Sequence, residues 1–175
     1  MRFKIKDIGD EGLDVDLPVT AAWLGEQCPD LDAQLGVDGL ALRGVLEKSG
    51  DDVLLRGDLR GALEMSCGRC LEAARVPVDL PMTVTFVEKS ASGRDVDVEA
   101  DDDDDIVFFE GGEIDLGTEL RDEILLAMPI NPLCQDGCLG LCSVCGGNRN
   151  NVPCDCEERR RGATAKLSEL GRIKL

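Results

Sequence analysis

Apolar and polar residues alternate most regularly between residues 53 and 86. Val53, Leu55, Leu59, Leu63 and Met65 share one parity with Gly57 and Gly61, while Arg56, Asp58, Arg60, Glu64 and Ser66 share the other. A period of two predicts a half-buried strand. A second run answers it, with Val76, Val78, Leu80, Met82, Val84 and Phe86 on one face and Arg75, Asp79, Thr83 and Thr85 on the other. Pro77 and Pro81 lie on the polar parity and point to an edge strand or a bulge, because proline cannot donate to a ladder. A third run begins around Val37 with Leu40, Leu42 and Val45, and the turn residues Ser49-Gly50-Asp51-Asp52 follow it. The first 35 residues carry two short alternating stretches, Phe3 to Ile8 and Leu13 to Val19, and then Thr20, a cap for a short helix. Trp23 is expected in the core.

At Asp115 the period becomes helical. Leu116, Leu120, Ile124, Ala127 and Met128 form one stripe opposite Glu119, Asp122 and Glu123, and Pro129 stops the run. Asp115 or Thr118 caps its start. Ile106 to Phe109 reads as a short strand closed by Gly111-Gly112. The predicted class is α+β: a mainly antiparallel sheet, one clear amphipathic helix over 116–128, and a cysteine-rich C-terminal segment stabilised by zinc. One domain is expected, in four parts. Residues 1–35 form an N-terminal β/helical segment packed on the core, 36–131 the β-rich core, 132–156 the zinc-binding tail and 157–175 a short basic segment.

Charge and composition narrow the chemistry. The 175 residues hold 19 Lys and Arg against 36 Asp and Glu, a formal net charge of −17, with no His. A Ser-His-Asp or Cys-His catalytic system is therefore excluded. Eight acidic residues fall between Asp95 and Asp105 and read as a solvated loop. Six basic and three acidic residues follow Cys156, so a net +3 end closes a body of −20. No apolar stretch reaches the ~18–20 residues of a membrane helix. The opening alternates charged with apolar residues where a signal peptide would be apolar, so the expected location is cytoplasmic.

Nine cysteines without a secretory signal read as metal or redox chemistry before disulfides. Eight fall into close pairs: Cys67-x-x-Cys70, Cys134-x-x-x-Cys138, Cys142-x-x-Cys145 and Cys154-x-Cys156. Cys28 stands alone and is expected to be a small core residue. Cys67 and Cys70 sit between the two best strands, at the tip of a hairpin, where backbone N–H groups can turn toward both thiolates. The tail from Pro132 to Cys156 has little to pack, and a metal would supply its missing folding energy. Four pairs suit two four-thiolate zinc sites, with at least one ion expected; iron–sulfur ligation uses the same residue type. A thioredoxin-like role for Cys67 and Cys70 is disfavoured, since a strand-then-helix pattern is missing. Two groupings are open. One joins Cys67 and Cys70 to Cys134 and Cys138 and leaves Cys142, Cys145, Cys154 and Cys156 as a local site; it is the preferred one. The other closes a site from Cys134, Cys138, Cys142 and Cys145.

Three motifs in order carry a resemblance: Met65-Ser-Cys67-Gly-Arg69-Cys70-Leu71-Glu72, then Gly112-Glu-Ile-Asp115-Leu116 leading into Arg121-Asp-Glu-Ile-Leu-Leu-Ala-Met-Pro129, then Cys138-Leu-Gly140-Leu141-Cys142-x-x-Cys145-Gly146. Over roughly residues 35 to 175 the chain resembles the YceD-like family, bacterial and plastid proteins described as large ribosomal RNA subunit accumulation proteins. Ser143 stands where that family often carries Pro. The resemblance implies a non-enzymatic factor in synthesis, processing or stability of large-subunit ribosomal RNA. A body this negative repels RNA phosphates. A basic large-subunit ribosomal protein or a pre-ribosomal particle is therefore the expected partner, with no membrane and no small-molecule substrate. Direct RNA or partner contact would fall to Arg69, Arg149, Arg159, Arg160 and Arg161. The alternatives are a zinc-dependent or thiol redox protein using the C-x-x-C pairs, and an acidic adaptor that differs only in its partner.

Overall fold

The computed structural model describes residues 1–89 and 105–156, which divide into two compact units. The first comprises Met1–Met65 and Arg75–Ile130, and the second comprises Ser66–Ala74 and the described residues from Asn131 onward. The elements in chain order are β1 (Arg2–Lys4), a 3-10 turn (Ile5–Asp7), β2 (Leu13–Pro18), α1 (Ala21–Gln27), β3 (Ala33–Ser49), β4 (Asp52–Ser66), β5 (Ala73–Glu88), β6 (Asp105–Phe109), β7 (Glu113–Asp115) and α2 (Leu116–Ala127). A five-stranded sheet runs in the order β2-β3-β4-β5-β6, and β1 pairs with β7. β2 with β3, β3 with β4 and β1 with β7 are antiparallel. Residues 67–72 join β4 to β5 and are too few for a crossover, so that pair is antiparallel as well. β6 is parallel to β5, from Val84 opposite Asp105 to Glu88 opposite Phe109. The result is α+β, a mostly antiparallel sheet with two helices.

The core of the first unit follows from the two periods. Val53, Leu55, Leu59 and Leu63 of β4 are fully buried with Leu42, Leu46 and Phe86, and α2 adds Leu116, Leu120 and Ile124. Asp115 caps α2 by accepting the Gly117 N–H at 2.9 Å. The helix ends at Ala127, and Met128 adopts the extended conformation that the following Pro129 imposes. Thr20 caps α1, its Oγ1 accepting the Trp23 N–H at 3.2 Å. Trp23 is half-buried against the core, and Cys28 is buried within it.

Four departures from the alternation have local causes. β1 stops at Lys4, because its partner β7 has three residues before α2 begins, and Ile5 turns its N–H to the Gly112 carbonyl. β3 starts at Ala33, ahead of the regular run, with a register shift between Leu35 and Leu40 that leaves Val37 exposed. Gly61, opposite Leu40 at that shift, has φ 149°, so Ala62 and Leu63 are both buried and Met65 is only half-buried. Pro77 and Pro81 precede Val84, where pairing with β6 begins, so they occupy the half of β5 that has only β4 as a described neighbour.

The exposed parity carries cross-strand ion pairs, Arg43 with Asp16 at 3.4 Å, Arg60 with Asp79 at 2.9 Å and Arg75 with Asp38 at 2.6 Å. Within the β3–β4 ladder, Gly44 faces Gly57. A Cβ on Gly44 would run into the Arg56 carbonyl oxygen, and one on Gly57 would lie 2.9 Å from the Gly44 Cα. Gly44→Ala should therefore cost about 1–3 kcal/mol through forced strand separation. Asp115→Ala should cost about 1 kcal/mol through the lost cap. Urea unfolding of both variants checks the pair.

Candidate metal centres

The second unit has little apolar material of its own: its buried cluster is Cys67, Cys70, Ala74 and Cys138, with Leu133 and Cys134 packed against it. What organises it is sulfur. Cys67, Cys70, Cys134 and Cys138 place all four Sγ atoms within 4.8 Å of one another, and Cys142, Cys145, Cys154 and Cys156 do the same. The structure thus makes the first of the two groupings left open by spacing. The other would have needed Cys134 and Cys138 beside Cys142 and Cys145.

The first tetrad is built on the turn that joins β4 to β5. Cys67 N–H donates to the Glu72 carbonyl at 2.8 Å and Leu71 N–H to the Cys67 carbonyl at 3.0 Å, with Leu71 at φ 64°. This turn aims the Arg69 backbone N–H at the Cys67 sulfur, the main reason its thiol is pulled down to about 6. The segment after Ile130 is laced onto the turn. Gly68 N–H donates to the Pro132 carbonyl at 2.8 Å, Leu141 N–H to the Arg69 carbonyl at 2.9 Å, and Arg69 Nη1 to the Cys138 carbonyl at 3.0 Å. Gly140 holds φ 71° with its bare Cα against Arg69, where a Cβ would sit 3.0 Å from the carbonyl oxygen.

The second tetrad repeats the design locally. Cys142 N–H donates to the Gly147 carbonyl at 2.8 Å, Gly146 N–H returns to the Cys142 carbonyl at 2.9 Å, and Val144 N–H points at the Cys142 sulfur at 3.4 Å. The N–H groups of Cys145 and Val144 bring the Cys142 thiol to about 6. Leu141 and Asn148 then form a bridge that turns the chain back toward Cys154. The tetrads differ in exposure. The first has three buried members and half-buried Cys134; in the second only Cys142 is buried, and Cys145 and Cys154 are exposed.

Both tetrads could hold one ion, and the first has edges of tetrahedral length. Metal–sulfur bonds of about 2.3 Å imply sulfur–sulfur edges of roughly 3.8 Å. Cys67 and Cys138 are 3.8 Å apart, and Cys70 and Cys134 are 3.5 Å apart. The thiols also answer one another: Cys134 is pushed up to about 12, first by its contact with Cys70, and Cys156 up to about 12, first by Cys145. Each cluster therefore resists full ionisation unless a cation enters. Four thiolates around one ion fill its shell, which suits a structural role.

Of the remaining predicted residues, Arg69 belongs to the turn of the first tetrad and the others fall outside both tetrads. Arg69 is exposed, with its guanidinium on the Cys138 carbonyl as above, and Arg149 is half-buried, its backbone N–H donating to the Gly140 carbonyl at 2.9 Å. Arg159, Arg160 and Arg161 lie outside the described residues, as does the acidic run except Asp105, which opens β6. Cys28 lies in the first unit, and burial raises its thiol. Sequence reasoning missed Asn148 and Asn150, whose side chains reach the first tetrad and its turn. Asn150 Nδ2 donates to the Cys138 sulfur at 3.3 Å, and Asn148 Nδ2 to Glu72 Oε1 at 3.3 Å. The only available signal was asparagine density between Gly147 and Pro153, and in a loop that reads as turn chemistry. Among the described residues, no helix is long and apolar enough to cross a membrane.

Residues 55–171 match the family model for the large ribosomal RNA subunit accumulation protein YceD. The chain is 31% identical over 132 residues to the chloroplastic YCED homolog 1 of Arabidopsis thaliana, covering 62% of this chain and 41% of that protein. The homolog 1 of Zea mays is 30% identical over 129 residues, 60% of this chain and 44% of its own. An uncharacterised Mycobacterium bovis protein is 29% identical over 146 residues, 79% of this chain and 69% of its own. The chain thus spans less than half the length of these plastid relatives. No solved structure matches it. With the family model covering both the β4 to β5 turn and the cysteine-rich tail, the chain belongs to the YceD family of large ribosomal RNA subunit accumulation proteins.

Proposed function

We propose that this chain is a non-catalytic, zinc-stabilised factor that supports accumulation of large-subunit ribosomal RNA by engaging a basic ribosomal protein or a pre-ribosomal particle. The observation that carries the reading is the pair of closed sulfur tetrads within a region matched to the family. Zinc is favoured over an iron–sulfur cluster because sulfurs within 4.8 Å of one another suit one ion. Four thiolates leave no position for water or substrate, so the metal orders the chain and performs no reaction. The names of the plastid relatives supply the link to ribosomal RNA.

Charge selects the partner. Each zinc held by four thiolates carries a formal −2, which takes the total from −17 to about −21. Three arginines of the sheet, Arg43, Arg60 and Arg75, are paired with carboxylates. A surface so negative attracts a basic protein and repels RNA phosphates. The cytoplasm, where thiols stay reduced, is the proposed location. A thiol redox role is the second reading, favoured by the low thiols Cys67 and Cys142 at about 6. It requires those sulfurs to react with an alkylating reagent while the metal is bound.

Elemental analysis of the native protein should give two zinc ions per chain, falling to one in the variant C67S/C70S. One ion in both proteins would mean Cys67 and Cys70 are free thiols, and the redox reading would take over. Zinc loading should also release protons. Near pH 7 the raised thiols Cys70 and Cys134 of one tetrad, and Cys154 and Cys156 of the other, carry protons that the ion must displace, at least two per site. Affinity should therefore fall as pH falls, measurable by calorimetry in buffers of different ionisation enthalpy. Binding to basic large-subunit ribosomal proteins should weaken steeply with salt, with no retention of ribosomal RNA in the same assay. RNA binding without protein binding would reverse the assignment.

A further inference from the structure

The loop that closes the second tetrad also touches the first. Asn150 lies between Cys145 and Cys154, and its side-chain amide is engaged at both ends. Nδ2 donates to the Cys138 sulfur at 3.3 Å and to Asn148 Oδ1 at 2.9 Å. Oδ1 accepts the Leu139 N–H at 2.8 Å and Gln135 Nε2 at 3.3 Å. These partners fix the amide's orientation, since exchanging its oxygen and nitrogen would set a donor against the Leu139 N–H. Asn148 Oδ1 also accepts the Asn150 backbone N–H at 3.0 Å, and Asn148 Nδ2 reaches Glu72 Oε1 on the turn that carries Cys67 and Cys70.

The loop has little of its own to keep this amide in place. No residue from Ser143 to Cys156 is buried, and Val144 and Val152 are exposed. Turn hydrogen bonds such as Asn151 N–H and Val152 N–H to the Asn148 carbonyl, at 3.2 and 3.1 Å, are exposed to competition from water. What gathers the ends of the loop is the set of Cys142, Cys145, Cys154 and Cys156.

We infer that Asn150 is a positioning residue that couples the two centres: an ion in the second tetrad fixes the loop, and the loop delivers the amide that holds the Cys138 thiolate for an ion in the first. This rests on both tetrads being metal sites, as proposed above. An outer contact of this kind is worth about 10–100-fold in metal affinity. Because coupling between binding sites is reciprocal, an ion in the first tetrad tightens the second by the same factor.

The test uses the full chain, zinc competition with a chromophoric chelator, and cadmium NMR. Asn150→Asp keeps the acceptor for the Leu139 N–H and removes the Nδ2 donor shared by the Cys138 sulfur and Asn148 Oδ1; Asn150→Ala removes donor and acceptor together. Each should still bind two ions, with the first centre weakened about 10–100-fold and only its cadmium resonances shifted. C145S/C154S should bind one ion with the same weakening, and adding Asn150→Asp to it should weaken the first centre no further. First-centre affinity unchanged in both Asn150→Asp and C145S/C154S, or effects that multiply on combination, would overturn the coupling while leaving two metal sites. A native chain that binds no ion would overturn the metal reading and the coupling together.

Discussion

Four sulfur atoms within 4.8 Å of one another repel as soon as more than one is ionised, and a divalent cation among them turns that repulsion into attraction. Under the metal reading proposed above, that reversal is what would hold the second unit together. Its buried cluster is largely cysteine, and the tail from Ser143 to Cys156 has no buried residue at all. Backbone geometry is arranged to serve the sulfurs, with the left-handed Leu71, the bare Cα of Gly140 and the N–H groups around Cys67 and Cys142 all set by turns whose purpose is ligand direction. The first unit obeys a different rule, in which Leu, Ile, Val and Phe side chains are removed from water between sheet and helix.

Those two rules differ in how openly they are written in the chain. Burial by a strand or helix repeats, so the stripe of Leu116, Leu120 and Ile124 and the alternation through Val53, Leu55 and Leu59 could be read directly. Cysteine spacing was equally legible as a set of candidate metal ligands, though which pairs share a site depends on where distant turns meet. Non-local features had no local signature. Nothing in Ile106 to Phe109 says that β6 joins β5 in parallel, because that pairing depends on a chain path and not on side-chain period. The bulge opposite Gly61 broke the parity at Met65 for the same reason: a glycine that matches the pattern does not announce its dihedral angle. Asn150 was invisible because its role requires knowing that Cys138 lies beside it.

Part of the acidity is paired. On the sheet, carboxylates at Asp16, Asp38 and Asp79 each find an arginine across or beside the strand. Such exposed pairs add little stability, about 0–1 kcal/mol each. Their larger effect is on what the surface offers to others, since an arginine facing a carboxylate is a poor handle for phosphate. The excess negative charge is left to act at range, where it is screened over about 8–10 Å at physiological salt.

The two sulfur clusters also differ in how much chain they close. Cys67 and Cys138 are 71 positions apart, whereas the second set lies within one short stretch of the tail. Bringing the ends of the longer loop together costs about 1.4 kcal/mol more in chain entropy. It also cannot happen until the intervening polypeptide, with β5, β6 and α2, has been synthesised. On a ribosome the first cluster has all its ligands once Cys138 has emerged, before any ligand of the second, and its closure marks a chain whose middle is already made.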